Sequence, residues 1–308
     1  MKPFLKWPGS KTRFIGEISK RYPKNLGWGH NRYVEPFVGG GAVLVDILSS
    51  DWYCNVECVI NDIEPKLINA YMVIKYNVYD LLDELACLEN KFNLGAEGKE
   101  LEKLRNTLYY EKRDEYNSYK DSEVFQRINH GQFSIRLAAL LIFLNHTCFN
   151  GLYRLNNKGD FNASLGKYKK PMICDTENLM ALHDEFDRVH MTCGDYRYTE
   201  QFIDSQTFVY CDPPYRPLEG NSKAKVYGEM FDDTKQAELA GWAWEMRRKG
   251  ARVVISNSDP HNTTPSDNFF YDLYGGGTWV IDRVFINRNI GRTAESRKRV
   301  SELLIKNK

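Results

Sequence analysis

Thr207-Phe208-Val209-Tyr210-Cys211-Asp212-Pro213-Pro214-Tyr215 is the segment from which the rest of the chain is best understood. Its first five residues are apolar and rich in β-formers, and the run is short enough to be a buried strand. The strand ends on a carboxylate, at the carboxyl edge where open α/β sheets place their ligands. Pro213 and Pro214 lack a backbone N–H and fix φ, so the turn is stiff and its carbonyls point outward. One carboxylate, free carbonyls and the Tyr215 ring form an acceptor-only site suited to an amino group, such as the exocyclic amine of a base. Taken alone, the tetrapeptide equally describes a proline-bounded strand end over a buried tyrosine.

Working outward, Tyr33-Val34-Glu35-Pro36-Phe37 is a second strand end, followed by Val38-Gly39-Gly40-Gly41-Ala42-Val43-Leu44. Strand, glycine turn and helix start bring backbone close to a nucleotide-like ligand. The next strand, Glu57 to Asp62, places an acid about 20 residues beyond the glycines, where ribose hydroxyls are commonly accepted. A nucleoside cofactor fits this arrangement, and a dinucleotide competes with it. Gly9-Ser10-Lys11 lets backbone N–H groups and a lysine approach a ligand, but the upstream glycine of a Walker loop is missing. Further strands are expected at Val189–Cys193, Arg252–Ser256, and near Trp279–Phe285 and Arg299–Ile305. Helices are expected near Thr12–Arg21, Lys66–Leu88, Asn178–Phe186 and Thr234–Lys249. This alternation is an α/β rhythm.

The middle of the chain departs from that rhythm. A polar, charged and tyrosine-rich segment runs to about Asn129, with Asn93-Leu94-Gly95-Ala96-Glu97-Gly98 marking where an inserted helical region begins. Arg136–Asn145 is strongly apolar and predicts a buried helix. Asn157-Lys158-Gly159-Asp160, between two β-capable runs, predicts a hairpin. Around it Phe149, Tyr153, Arg154, Lys167 and Tyr168 interleave aromatics with bases, a composition suited to DNA and also to a surface hairpin with snorkelling bases. Pro217–Asp233 is polar and expected to be mobile.

The 308 residues allow one large domain or two ordinary ones, and 42% hydrophobic with 27% charged residues fits a soluble globular chain. No run approaches the ~18 apolar residues of a membrane span, and the N-terminus is not expected to act as a signal peptide. The seven cysteines are scattered, and Cys54 and Cys58 lack the second pair a zinc site needs; free thiols in a cytoplasmic protein, with no metal, are expected. Net charge is +1, so total charge is silent about nucleic acid. Basic clusters at Lys167, Lys169 and Lys170, at Arg247, Arg248, Lys249 and Arg252, and at Arg288, Arg292, Arg297, Lys298 and Arg299 suggest a phosphate-tracking face.

Together these motifs resemble the Dam-type (class alpha) DNA adenine-N6 methyltransferases over nearly the whole chain. The matching segments, in family order, are Lys6-Trp7-Pro8-Gly9-Ser10-Lys11, Glu35 to Gly41, Asn61-Asp62, Asn150-Gly151-Leu152-Tyr153-Arg154, Gly166 to Pro171, Asp212 to Tyr215 and Ser256-Asn257. The resemblance implies a Rossmann-like S-adenosyl-L-methionine-dependent methyltransferase sheet with an inserted helical and β-hairpin target-recognition domain. It implies catalytic parts at 1–92 and 173–308 and the insert at 93–172. Asp212, Pro213, Pro214 and Tyr215 would form the catalytic pocket for an extruded adenine. Trp7, Lys11, Glu35, Pro36, Phe37, Gly39, Gly41, Asp62, Asp195 and Asp212 would meet the cofactor, Asp62 at the ribose and Asp195 at the adenine amine. Lys6, Asn150, Leu152, Arg154 and Tyr168 would contact DNA, and Phe149 would wedge into the base stack. Two departures stand out. Ser164 replaces a proline that touches a thymine methyl in GATC-methylating relatives, and Asn287-Arg288-Asn289 replaces a Ser-Ile-Ser.

The resemblance further implies a monomer or weak dimer acting on double-stranded DNA in a bacterial or phage-infected cytoplasm, away from membranes. A cognate restriction endonuclease would be a functional counterpart and no physical partner. A nicotinamide dehydrogenase would explain the glycines and Asp62 and leave the Asp-Pro-Pro-Tyr loop unexplained. A non-catalytic DNA-binding module would not need an intact cofactor site. Methyl transfer to another nucleic acid or to a protein amide is the remaining alternative.

Overall fold

The computed structural model describes residues 1–93, 98–216, 231–287 and 299–308. Among the described residues there are seven strands: β1 (Arg32–Glu35), β2 (Glu57–Asp62), β3 (Val189–Cys193), β4 (Thr207–Cys211), β5 (Arg252–Ser258), β6 (Trp279–Asn287) and β7 (Arg299–Asn307). They form one mixed sheet in the order β3-β2-β1-β4-β5-β7-β6. β4 runs parallel to β1 and β5, while β7 is antiparallel to β5 and β6. All five residues of β4 are buried, which is why its sequence is a continuous apolar run rather than an alternation.

This order positions the site. From β1 the chain proceeds to β2 and β3 on one side, and from β4 to β5 on the other. The reversal falls between β1 and β4, which are in register at Tyr33 with Phe208 and Val34 with Val209. Their carboxyl ends therefore bring Glu35 and the Asp212 loop alongside one another at a topological switch point, where such sheets bind ligands.

The chain divides into two compact units. The first comprises Met1–Ser10, Val38–Ser49 and Ile60–Asp195; the second comprises Lys11–Phe37, Ser50–Val59 and Tyr196–Lys308. At the centre of the first lies the helix Ile135–Thr147, buried almost all round, whose sequence is accordingly apolar on every face. It is capped by Ser134, whose hydroxyl accepts from the Leu137 N–H at 3.2 Å. Helices Pro65–Tyr76, Val78–Asn93 and Gly98–Ser118 pack around it. In the second unit the core joins Val209, Cys211, Val253, Ile255, Leu303 and Ile305 of the sheet to Leu239, Trp242, Ala243 and Met246 of the helix Asp233–Arg248. No helix among the described residues is long and apolar enough to cross a membrane.

Several expectations need correction. The helix anticipated over Lys66–Leu88 is two helices, Pro65–Tyr76 and Val78–Asn93, because Asn77 leaves helical geometry (φ −139°, ψ 35°) and closes the first. Only Ile15–Ile18 of Thr12–Arg21 is α-helical; Ser19–Arg21 tightens to a 3₁₀ turn, and Pro23 follows. The helical region expected to begin at Asn93–Gly98 is present, by contrast, as the helices Gly98–Ser118 and Asp121–Asn129. The hairpin keeps its turn, with the Asn156 side chain accepting from the Lys158 and Asp160 N–H groups at 2.8 and 3.0 Å. Its arms make only isolated bridges, Leu155 with Phe161 and Cys148 with Leu165. Side chains from the helix Gly98–Ser118 take up backbone groups instead: Asn117 both donates to and accepts from Phe161, and Tyr109 donates to the Ala163 carbonyl at 2.9 Å. The stretches Leu94–Glu97, Pro217–Met230 and Arg288–Lys298, with the readings made of them, lie outside the described residues.

Candidate active site

In the second unit the Asp-Pro-Pro-Tyr loop is gripped at nearly every polar group. The Asp212 Oδ1 accepts from the Ser256 hydroxyl at 2.7 Å, and its Oδ2 pairs with the Lys11 ammonium at 2.9 Å. Ser256 itself receives the Tyr210 hydroxyl at 3.1 Å, so strand β5 braces the carboxylate from beneath. Lys11 is buried and lies 4.6 Å from the Tyr215 ring centroid. The Tyr215 hydroxyl donates to Glu302 at 2.7 Å, fixing one end of the ring; burial and the neighbouring acids hold that phenol well above its ordinary pKa. Among the described residues no hydrogen bond is made to the Pro213 carbonyl. At the end of β1, Glu35 is buried and accepts from the Tyr33 hydroxyl at 2.8 Å, and Phe37 packs in an aromatic group with Tyr196 and Phe231.

In the first unit the glycine turn and β2 make a different carboxylate site. Asp62, at the carboxyl end of β2, accepts from the Gly39 N–H at 2.9 Å and the Glu64 N–H at 3.1 Å. Burial lifts its pKa to about 6 despite these backbone donors. Gly39 and Gly41 have positive φ (47° and 68°), and a Cβ on Gly41 would sit 2.5 Å from the Tyr71 hydroxyl. The turn is therefore closed to larger residues. Asp195 follows Gly194, whose N–H donates to the Asp62 carbonyl at 2.9 Å and whose carbonyl accepts from Asn61 at 2.9 Å. Asp62 and Asp195 thus stand together at the ends of β2 and β3. Trp7 is buried, stacked on Tyr153 at 4.5 Å, and a Cβ on Gly39 would meet its ring at 2.9 Å.

The first unit also carries the basic, aromatic loop. Phe149, Leu152 and Arg154 are exposed while Tyr153 between the last two points inward. Asn150 adopts φ 58°, rare for a residue with a side chain, and Gly151 follows at φ 63°. That double left-handed turn swings Leu152 and Arg154 outward, and a Cβ on Gly151 would collide with the Lys6 side chain. Lys6 lies 5.3 Å over the Tyr168 ring. Arg154 is pre-aimed: its Nε donates to the Asn162 side chain at 2.8 Å and an Nη to the Asn162 carbonyl at 3.1 Å. Trp7, Gly39, Gly41, Asp62 and Asp195 thus share a unit with Lys6, Phe149, Asn150, Leu152, Arg154 and Tyr168. Lys11, Glu35, Pro36, Phe37 and the Asp212 loop share the other.

Comparison with known proteins bears on what this machinery is for. The family model of the D12 class N6 adenine-specific DNA methyltransferases matches residues 7–284. The chain belongs to that family. It is 38% identical over 311 residues to the type II methyltransferase M.MjaIII of Methanocaldococcus jannaschii, covering 100% of this chain and 99% of that one. It is 32% identical over 306 residues to the DNA adenine methylase of Haemophilus influenzae, covering 98% and 92% respectively. The type II methyltransferase M1.LlaDCHI of Lactococcus lactis subsp. cremoris is 27% identical over 310 residues, with 100% and 95% covered. The protein is therefore a DNA adenine methyltransferase with the α/β fold of the S-adenosylmethionine-dependent enzymes, and S-adenosylmethionine is its methyl donor. Its residues fit that donor. Asp62 is held by backbone N–H groups, among them those of Gly39 and Glu64, and keeps acceptor capacity for a ligand hydroxyl beside a turn too tight for larger residues.

Three supports were not legible as such in the sequence. Asn145, fully buried, donates to the carbonyls of Lys6 (2.8 Å) and Gly151 (3.3 Å) and accepts from the Lys6 N–H (2.8 Å), tying the N-terminal strap to the recognition loop. Gln236 reaches the Asp212 loop from a helix, and Glu302 reaches it from β7. A polar residue inside an apolar helix is the one available signal for Asn145; nothing marks the other two.

Proposed function

We propose that the protein methylates the N6 amine of an adenine flipped out of double-stranded DNA, in GATC or a related short palindrome. The observation that carries this reading is the Asp212 carboxylate, clamped between Ser256 and Lys11 in a loop whose Pro213 carbonyl takes no hydrogen bond among the described residues. Adenine's amine is a weak nucleophile because its lone pair is delocalised into the ring. Asp212 and the Pro213 carbonyl would accept its two hydrogens and draw the nitrogen towards a tetrahedral shape, freeing the lone pair. Ser256 takes one lone pair on Oδ1 and Lys11 one on Oδ2, so each oxygen keeps a second lone pair and one of these can accept from the amine. Tyr215, fixed by Glu302, would stack on the extruded base. When bound, S-adenosylmethionine supplies an electrophilic methyl on a sulfonium. The protein's part is positioning and electrostatics. Extrusion costs a few kcal/mol, and Phe149, which is exposed, would fill the vacated stack.

Asp62 would hold the ribose, Asp195 the cofactor's adenine amine, and Trp7, Glu35, Pro36, Phe37, Gly39 and Gly41 the surrounding walls. Lys6, Asn150, Leu152, Arg154 and Tyr168 would read or hold the duplex. The division into catalytic parts at 1–92 and 173–308 around a recognition insert at 93–172 belongs to the same proposal. It is supported by the grip of Tyr109 and Asn117 on the hairpin backbone and of Arg105 on the Tyr168 carbonyl. So do monomeric or weakly dimeric action in the cytoplasm and service beside a restriction enzyme.

The test is transfer of label from tritiated S-adenosylmethionine into duplexes carrying GATC and each single substitution of it. Label confined to adenine in GATC or one close variant is expected. No label in any duplex would overturn the reading. Arg154→Ala should lose about 1–3 kcal/mol of discrimination at one guanine. An unchanged ranking across the panel would remove Arg154 from base reading, and a uniform loss would make it a phosphate contact.

A further inference from the structure

Two buried amides, Gln236 and Asn257, lie behind the Asp-Pro-Pro-Tyr loop and touch neither carboxylate; both belong to the second unit with the loop. Gln236 is in the first turn of the helix Asp233–Arg248, whose start is capped by Asp232 accepting from the Lys235 N–H at 3.0 Å. Its Nε2 donates to the Pro214 carbonyl at 3.0 Å, and its Oε1 accepts from Asn257 Nδ2 at 3.0 Å. Asn257 Oδ1 in turn accepts the Arg216 N–H at 3.1 Å and the Ser258 N–H at 2.9 Å.

The polarity of this chain follows from its ends. Two backbone N–H groups can only donate, so the Asn257 oxygen must face them and its nitrogen must face Gln236. Gln236 must then offer its oxygen to Asn257 and its nitrogen to Pro214, a carbonyl that can only accept. Neither amide can turn over without setting like groups against each other in a dry interior, so the relay has one stable state. The same helix turn is held from outside by Arg216, which pairs with Asp233 at 2.6 and 2.9 Å and with Asp267 at 2.5 Å.

Resting on the assignment of this loop to the target amine, we propose that Gln236 and Asn257 are a positioning pair. They hold the Pro214 carbonyl away from the amine and leave the Pro213 carbonyl and Asp212 as its two acceptors. Two amine hydrogens then meet two acceptors in one geometry. With the Pro214 carbonyl released, the peptide plane preceding Tyr215 turns and the stacking ring turns with it.

The test compares kcat and KM for methyl transfer to duplex DNA in Gln236→Glu, Gln236→Met, Asn257→Asp and the Gln236→Met/Asn257→Asp double variant, with Asp212→Ala as reference. Gln236→Glu keeps size and presents an acceptor to an acceptor. Asn257→Asp keeps the bonds from Arg216 and Ser258 and withdraws the donor to Gln236. Each single variant should lower kcat about 10–100-fold, the effect of orphaning one buried hydrogen-bonding group. Calorimetric affinities for S-adenosylmethionine and for DNA should stay within about twofold, which separates positioning from misfolding. Once Gln236 is Met, Asn257→Asp should have little further effect, because the relay is already cut. Singles within about threefold of wild-type kcat, while Asp212→Ala is inactive, would overturn the pair and leave the loop assignment standing. So would losses that multiply in the double variant. An active Asp212→Ala would overturn both.

Discussion

Asp62 ends strand β2 and Asp212 directly follows strand β4, and their surroundings are opposites. Asp62 sits in the first unit, held by backbone N–H groups of Gly39 and Glu64, and burial raises its pKa to about 6. Asp212 sits in the second, held by a lysine ammonium and a serine hydroxyl in a loop stiffened by two prolines. A carboxylate kept by neutral donors suits a neutral ligand that donates hydrogens, as ribose hydroxyls do. A carboxylate beside a fixed cation suits a group whose charge changes during reaction, because preorganised charges need not rearrange when it does. On the proposed assignment, Asp62 serves binding and Asp212 serves turnover.

The sharpest way to break that contrast is to remove each acid in turn. Asp212→Ala should reduce kcat for methyl transfer by about 10²–10³-fold or more, with DNA binding by fluorescence anisotropy nearly unchanged. Retention of more than a tenth of wild-type turnover would end its assignment to the amine. Asp62→Ala should show the converse pattern, weakening S-adenosylmethionine by roughly 1.5–3 kcal/mol, the loss of charge-assisted hydrogen bonds. Calorimetry reads this directly, and an unchanged affinity would place the ribose elsewhere.

A subtler contrast lies in pH. Hydroxyl donors favour the ionised form of Asp62, so binding should draw a proton off it. Affinity for S-adenosylmethionine should therefore rise about tenfold between pH 5 and 7, as a group of pKa about 6 ionises, and level off above. A flat profile, or one that persists in Asp62→Ala, would assign the proton to another group.

The smallest effect concerns Glu64, which follows Asp62 by two residues and is lifted to about 8 by burial, with Asp121 and Asp62 adding to the rise. An acid whose folded pKa lies above its unfolded value favours the fold at low pH. That advantage is lost progressively as pH climbs from near 4.5 through 8. Glu64→Gln keeps an oxygen for the Lys66 N–H and cannot ionise. Its melting temperature should fall less than that of wild type between pH 5 and 8. Parallel melting curves would mean that the pKa of Glu64 does not change on folding.

The parts read correctly from sequence are those governed by local chemistry. β4 and β2 have the bounds anticipated, Thr207–Cys211 and Glu57–Asp62, because short apolar runs between breakers leave little choice of period or length. The helix Gly98–Ser118 was less legible: its charged surface masks a periodicity carried by tyrosines, of which Tyr109 and Tyr116 are buried. The hairpin arms were overestimated, since nothing local shows that Asn117 and Tyr109 would claim their backbone groups.

The candidate site divides along the same line. Asp212, Pro213 and Tyr215 announce themselves, because adjacent prolines after a strand and before an aromatic are a local constraint on backbone direction. The glycine turn and Asp62 do so as well, because positive φ at Gly39 and Gly41 leaves no room for other residues. Gln236, Asn145 and Glu302 carry no such mark. A glutamine in a helix or a glutamate in a strand satisfies its local pattern whether or not it touches anything. Only the packing of the helix Asp233–Arg248 on the loop turned Gln236 towards Pro214, and only the pairing of β7 with β5 brought Glu302 to Tyr215. Backbone constraints are written in neighbouring residues; a hydrogen bond between positions 22 or 87 residues apart exists only once the chain has closed on itself.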